Sequence, residues 1–180
     1  FRHAPSHPEA RETYARVVRE QGRTGEAFGQ YLRLVEYYPD HLDGQIALSE
    51  LSLQSSALEE FQRHATAAGE IAPDNERVKN LLIAVSYLEA VQNEDTAAQS
   101  ESLNRALERQ EEMPESMVLN LIAIDGLLSE QRFTDAIQRI DQAIEQDPNR
   151  RSLYNSKLAA LDALGETSEI SALLREMVDI

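Results

Sequence analysis

Apolar and polar residues follow one another along this chain with helical spacing, and the helical blocks are cut at regular intervals. From Pro8 to Gln21 the apolar positions Tyr14, Ala15, Val17 and Val18 form one stripe, and Pro8 suits a first helical turn, where its missing N–H is no loss. Gly22 and Gly25 interrupt that helix, a second runs from Gly25 to Tyr37, and Pro39 stops it. Two later stretches are apolar on nearly every side: Val78 with Leu81-Leu82-Ile83-Ala84-Val85, and the run from Met117 to Ile124. A helix apolar all round is normally buried all round. Stacking that covers both faces is therefore one expectation. An exposed apolar strip that takes a partner's helix or extended peptide is the other.

The punctuation is as informative as the stripes. Pro5, Pro39, Pro73, Pro114 and Pro148 are separated by 34, 34, 41 and 34 residues. Taken as unit ends, they give 8–41, 42–75, 76–116, 117–150 and a last unit 151–180, with 1–7 as the tail of a preceding one. In 8–41, Arg11, Tyr14, Ala15 and Val18 precede Gly22, then Ala27-x3-Tyr31 precedes Pro39. In 117–150, Phe133, Ala136-x3-Ile140 and Ala143 precede Asp147-Pro148-Asn149. This pattern resembles the tetratricopeptide repeat, a helix–turn–helix unit of 34 residues reading W-x2-L-G-x2-Y, then A-x3-F, then P. The resemblance extends over nearly the whole chain. It implies an all-α, right-handed superhelical solenoid of antiparallel helix pairs, about ten helices in a single array over 1–180.

Three units depart from the pattern. In 42–75, Ala68 and Pro73-Asp74-Asn75 fit, but Phe61 stands where a small residue is usual. The last unit keeps Tyr154 at the tryptophan place and Gly165 at the turn, with Ile170 and Leu174 in place of Ala and Phe. The unit 76–116 carries seven extra residues, placed within 90–102. They either lengthen both helices by about a turn, which keeps the apolar faces in phase, or form a longer polar loop. Asp95 and Thr96 are both suited to cap the helix that follows.

Composition narrows the function. The chain has 180 residues and a formal charge of −15, which repels phosphate backbones and anionic lipid, so no nucleic-acid partner is expected. Local basic groups are Arg16, Arg19 and Arg23, and the pair Arg150 and Arg151. The absence of cysteine removes disulfides, thiolate zinc sites and cysteine nucleophiles. No apolar run approaches the roughly 20 residues of a membrane span. The chain starts at Phe1 in mid-repeat, which reads as a piece of a longer protein. The repeats look like those of large bacterial proteins, some of them envelope lipoproteins. That likeness leans to the periplasm or envelope, with the cytoplasm as the alternative.

No catalytic constellation emerges. There is no Gly-rich phosphate loop, no H-E-x-x-H and no G-x-S-x-G. His3 and His7 are four apart, but Pro5 and Pro8 oppose the continuous helix that would aim both at one metal. His41 falls in a turn and His64 on a second helix, both as surface or packing residues. Glu59-Glu60 and Glu111-Glu112 are solvated faces rather than acid–base pairs, which need environments that separate their pKa values. The expectation is a non-enzyme without metal or cofactor.

In the family that the repeats resemble, the first helix of each unit lines a groove that takes a protein or peptide ligand. Carried over, the groove places include Glu9, Glu12, Arg16, Arg19 and Glu20; Asp43, Ile46, Glu50 and Leu53; Arg77, Asn80, Leu81, Ala84 and Tyr87; Val118, Leu121, Ile122 and Asp125; and Ser152, Asn155, Ala159 and Asp162. Among these, Arg16, Arg19, Arg77, Asn80, Tyr87, Leu121, Asp125 and Asn155 are the candidate contacts. The carboxylate clamp of one subclass needs Lys and Asn at such places; Lys79 and Lys157 are the only lysines and neither falls on one. Self-assembly into a homo-oligomer is a second expectation, through apolar end residues Leu173, Leu174, Met177 and Val178. An accessory role to an enzyme elsewhere in a longer protein is a third.

Overall fold

The structure, a computed structural model, describes residues 7–177. Among them are ten helices and no strand. They are α1 (Pro8–Glu20), α2 (Thr24–Tyr37), α3 (Leu42–Gln54), α4 (Leu58–Ile71), α5 (Glu76–Gln92), α6 (Thr96–Glu112), α7 (Met117–Ser129), α8 (Phe133–Gln146), α9 (Arg151–Leu164) and α10 (Thr167–Glu176). Two compact units divide within α5, between Val85 and Ser86.

Each closing proline sets a stop and a start. Tyr38, Ala72, Met113 and Asp147, which precede the prolines, leave the helical conformation at the helix C-caps, with φ of −131° to −148° and ψ of 65–80°, because a following proline crowds that conformation. A β-turn with proline second then closes through His41 N→Tyr38 O, Asn75 N→Ala72 O, Ser116 N→Met113 O and Arg150 N→Asp147 O, at 3.0–3.2 Å. The last residue of each turn is the next helix's N-cap. His41 Nδ1 accepts from Gly44 N, Asn75 Oδ1 from Arg77 N and Val78 N, and Ser116 Oγ from Leu119 N. Six residues after the proline, a side chain returns to the proline carbonyl: Gln45 Nε2 to Pro39 O at 2.8 Å, Asn120 Nδ2 to Pro114 O at 3.4 Å and Tyr154 OH to Pro148 O at 3.0 Å. At the tryptophan place, polar groups thus satisfy a turn carbonyl.

The turn inside each pair is also one motif repeated. The first helices end with Gly22, Ser56, Glu94, Gln131 and Gly165 in the left-handed region, φ 55–75°. Each N–H bonds back three residues, and the next N–H bonds back five, as in Arg23 N→Val18 O and Arg132 N→Leu127 O. Only glycine takes this conformation without strain. Glu94→Gly and Gln131→Gly are each expected to stabilise the fold by about 1 kcal/mol, read as a higher urea midpoint. A lower midpoint would contradict the strain.

The seven extra residues are shared between the two helices of their pair. α5 and α6 are 17 residues each, against 13 or 14 for α1–α4 and α7–α9. The intervening turn stays three residues long, and Asp95, not Thr96, caps α6 by accepting from Ala98 N at 3.0 Å.

The first unit buries Ala15, Val18, Ala27, Tyr31, Leu34, Val35, Ala47, Leu48 and Leu51 together. Small residues bring backbones close: at Gly44 a Cβ would come within 2.9 Å of Val35 Cγ1. In the second unit, a Cβ on Gly126 would meet Leu103 Cδ1 at 2.7 Å. Ile124, Ile140, Ala143 and Leu153 form one core cluster there, and Tyr154, Leu161 and Leu173 another. Leu173 is therefore interior, not an exposed apolar end. Leu174 is exposed, Met177 half-buried, and Val178 lies outside the described residues.

Candidate functional site

The first unit brings three of the sequence-predicted contacts into one cleft. Arg16 and Arg19 come from α1 and Arg77 from α5, and Glu12, Glu20, Tyr31, Asp43 and Ala47 complete a hollow of about 510 Å³. Arg16, Arg19 and Glu12 lie three or four residues apart, so one helix face presents them together.

Glu50 organises the cations. Its two oxygens hold Arg19 Nη2 at 2.9 Å and Arg77 Nη2 at 2.7 Å, which ties α1 and α5 to α3. Arg77 Nη1 also lies 3.6 Å from Asp43 Oδ1. Glu12 Oε2 is 3.5 Å from His41 Nε2. Arg19 and Glu50 are less than a third exposed, so this network is firmer than a surface pair, though still open to solvent. Arg16 differs from its neighbours: it is exposed and makes no hydrogen bond or ion pair with a described residue. Burial holds the Tyr31 phenol above its usual pKa, so it remains a neutral group at the cleft floor. Arginine keeps its proton at any working pH. The cleft therefore offers fixed charges and hydrogen-bond donors.

The other predicted contacts fall elsewhere. Asn80 is 3% and Tyr87 0% exposed, both inside the helix stack. Tyr87 OH donates to Asp125 Oδ2 at 2.7 Å and accepts from Gln99 Nε2 at 3.0 Å. Burial first, then the bond to Asp125, push its pKa far above the usual phenol range. Leu121 is half-buried one turn before the exposed Asp125, and Asn155 is exposed on α9 without a hydrogen bond to either. The groove places Ile46, Leu53, Leu81, Ala84, Val118 and Ile122 are also buried. In α5 and α7 stacking thus covers nearly all of the apolar surface, which answers the two expectations in favour of burial. His64 is buried too, rather than at the surface. His3 lies outside the described residues, and among those described no cluster of three or more His, Asp and Glu could hold a metal. No helix among them is long and apolar enough to cross a membrane.

Sequence reasoning missed Glu50 as the organising residue. It was a groove place, but nothing in its neighbourhood marks it as the partner of arginines 31 residues before and 27 after it. It also missed an apolar hollow of about 590 Å³ in the same unit, lined by Phe28, Leu51, Ala57, Thr24, Gln54 and Glu60 among others.

No protein-family model and no curated protein matches this sequence. Solved structures do. A tetratricopeptide repeat protein from Parabacteroides merdae ATCC 43184 superposes with a TM-score of 0.55 at 13% identity, over 98% of this chain and 66% of that one. This chain thus spans just under two thirds of that protein's length. MamA AMB-1 superposes with a TM-score of 0.50 at 17% identity, over 93% of both chains. The fold is all-α and tetratricopeptide-like; likeness at such identities speaks of the fold alone.

Proposed function

We propose that this chain is a non-catalytic protein-interaction module that receives a peptide or partner segment on the first-helix face of its first unit. The observation that carries the reading is the open Arg16 beside two arginines already fixed by Glu50. Fixed cations lose little side-chain freedom on binding, and an unpaired one has no internal bond to give up. The neighbouring Glu12, Glu20 and Asp43 make the cleft selective for a segment of mixed charge rather than for any anion.

A peptide library selected on the wild-type protein tests this, followed by fluorescence anisotropy on the enriched sequences. Arg16→Glu is expected to weaken them about tenfold, or about 1.4 kcal/mol, while the fold loses only about 0.5 kcal/mol, from repulsion of the new carboxylate by Glu12 and Glu20 one turn away. Equal affinity for both proteins would move binding away from this face.

A further inference from the structure

The first unit contains a buried chain of hydrogen bonds whose direction can be assigned from one atom. The Pro39 carbonyl can only accept, so the group facing it at 2.8 Å is the amide nitrogen Nε2 of Gln45. Gln45 Oε1 is then the acceptor toward His64 Nδ1, at 2.7 Å, and His64 Nδ1 must carry the proton. The other ring nitrogen, Nε2, accepts from Arg63 Nη2 at 3.2 Å. Gln45 and His64 are 6% and 5% exposed. Every partner is matched only while the imidazole is neutral.

The chain of bonds joins three elements. His64 is on α4, Gln45 on α3, and Pro39 in the turn from α2 into α3. The same turn carries His41, the N-cap of α3. We propose that this network is an acid-released latch: while closed it buries His64 neutral, with Arg63 donating to Nε2 where a proton would have to enter, and opening of the α3–α4 contact lets the ring take up that proton, so that acid favours release of the His64–Gln45–Pro39 chain and loosening of the α2–α3 turn. The consequence for binding rests on the reading above, since α3 also carries Asp43 and Glu50 of the cleft.

The charges acting on the ring are few. Arg63 opposes protonation and Glu60 favours it, both from α4. From α3 and the turn the ring chain meets Gln45 and the Pro39 carbonyl, both neutral. Burial first, and Arg63 after it, lower the imidazole from 6.5 to about 4. Between those values the unfolded chain binds the proton and the folded chain does not, so stability rises with pH and is lost as pH falls below 6.5. The loss approaches tenfold in the folding equilibrium per pH unit. In the same turn His41 Nε2 faces Glu12 Oε2 at 3.5 Å, and its Nδ1 accepts from Gly44 N.

His64→Asn is the discriminating variant, because its amide can donate to Gln45 Oε1 and does not titrate. Urea midpoints and amide protection factors at Gly44–Ser49 would be measured for both proteins from pH 7 to 4.5. In the wild type, protection is expected to fall by up to about tenfold per pH unit below 6.5, and the asparagine variant to remain flat after the shared acid response is subtracted. Histidine ring NMR on the wild type gives an independent reading, with His64 expected to titrate near 4. Parallel pH profiles in the two proteins, or a His64 ring that titrates at its ordinary value, would overturn the latch. Should the variant not fold, the ring titration and wild-type protection decide alone.

Discussion

Tyr87→Ala is expected to destabilise the protein by about 4 kcal/mol, in the range for emptying a buried aromatic site. The ring is fully buried and its hydroxyl bonds Asp125 and Gln99 across three helices. Tyr87→Phe keeps the ring and removes only the hydroxyl, which is expected to cost about 1.5 kcal/mol because the acceptor is charged. Urea or thermal unfolding of both variants checks this. A surface contact residue would lose almost nothing in either substitution, so a small effect of Tyr87→Ala would mean that the ring is not where the structure places it.

Phe61→Ala is the second large effect, also about 4 kcal/mol. Its interest lies in the pair Phe61 and Ala65, both with 0% exposure. Elsewhere the corresponding pairs are Ala27 with Tyr31 and Ala136 with Ile140, small residue first. The second repeat reverses the order and conserves the summed volume. Ala65→Phe alone overpacks a closed site and is expected to cost about 2 kcal/mol. The double substitution restores the usual order, so it should cost less than Phe61→Ala alone, read as a non-additive double-mutant cycle. Additive losses would show that the two positions do not share one space.

The prolines made the fold legible because each one acts locally. It forces its predecessor out of the helix, seeds a β-turn and places the next N-cap, all within four residues, so spacing alone locates the pairs. The turns inside the pairs were less visible. Gly22 and Gly165 announce themselves, but Ser56, Glu94 and Gln131 occupy the same strained conformation without a glycine to mark it. This hid the division of the seven extra residues between α5 and α6. The candidate binding face was the least legible part. Helices α3, α5 and α7 bury residues on nearly every side, so periodicity has no polar back to set against an apolar front. Arg16, Arg19 and Arg77 could be assigned to the surface because charge resists burial. Asn80 and Tyr87 could not, because such residues are stable inside once their polar atoms are bonded. Glu50 needed the tertiary structure, since its partners are far along the chain.

The lengthened pair leaves a landmark in the second unit. Ser100 Oγ reaches Glu130 Oε1 at 2.7 Å, and Gln99 Nε2 reaches Ser129 Oγ at 3.2 Å, so the end of α7 stands level with the fourth and fifth residues of α6. At 1.5 Å per helical residue, the turn at Asn93–Glu94–Asp95 rises about 6 Å above that level. Residues 91–97 are all exposed. This is a natural handle. A fluorophore, an affinity tag or a crystallisation chaperone's epitope placed there would stand clear of the core of the second unit, in a part of the chain already lengthened by about one turn in each helix.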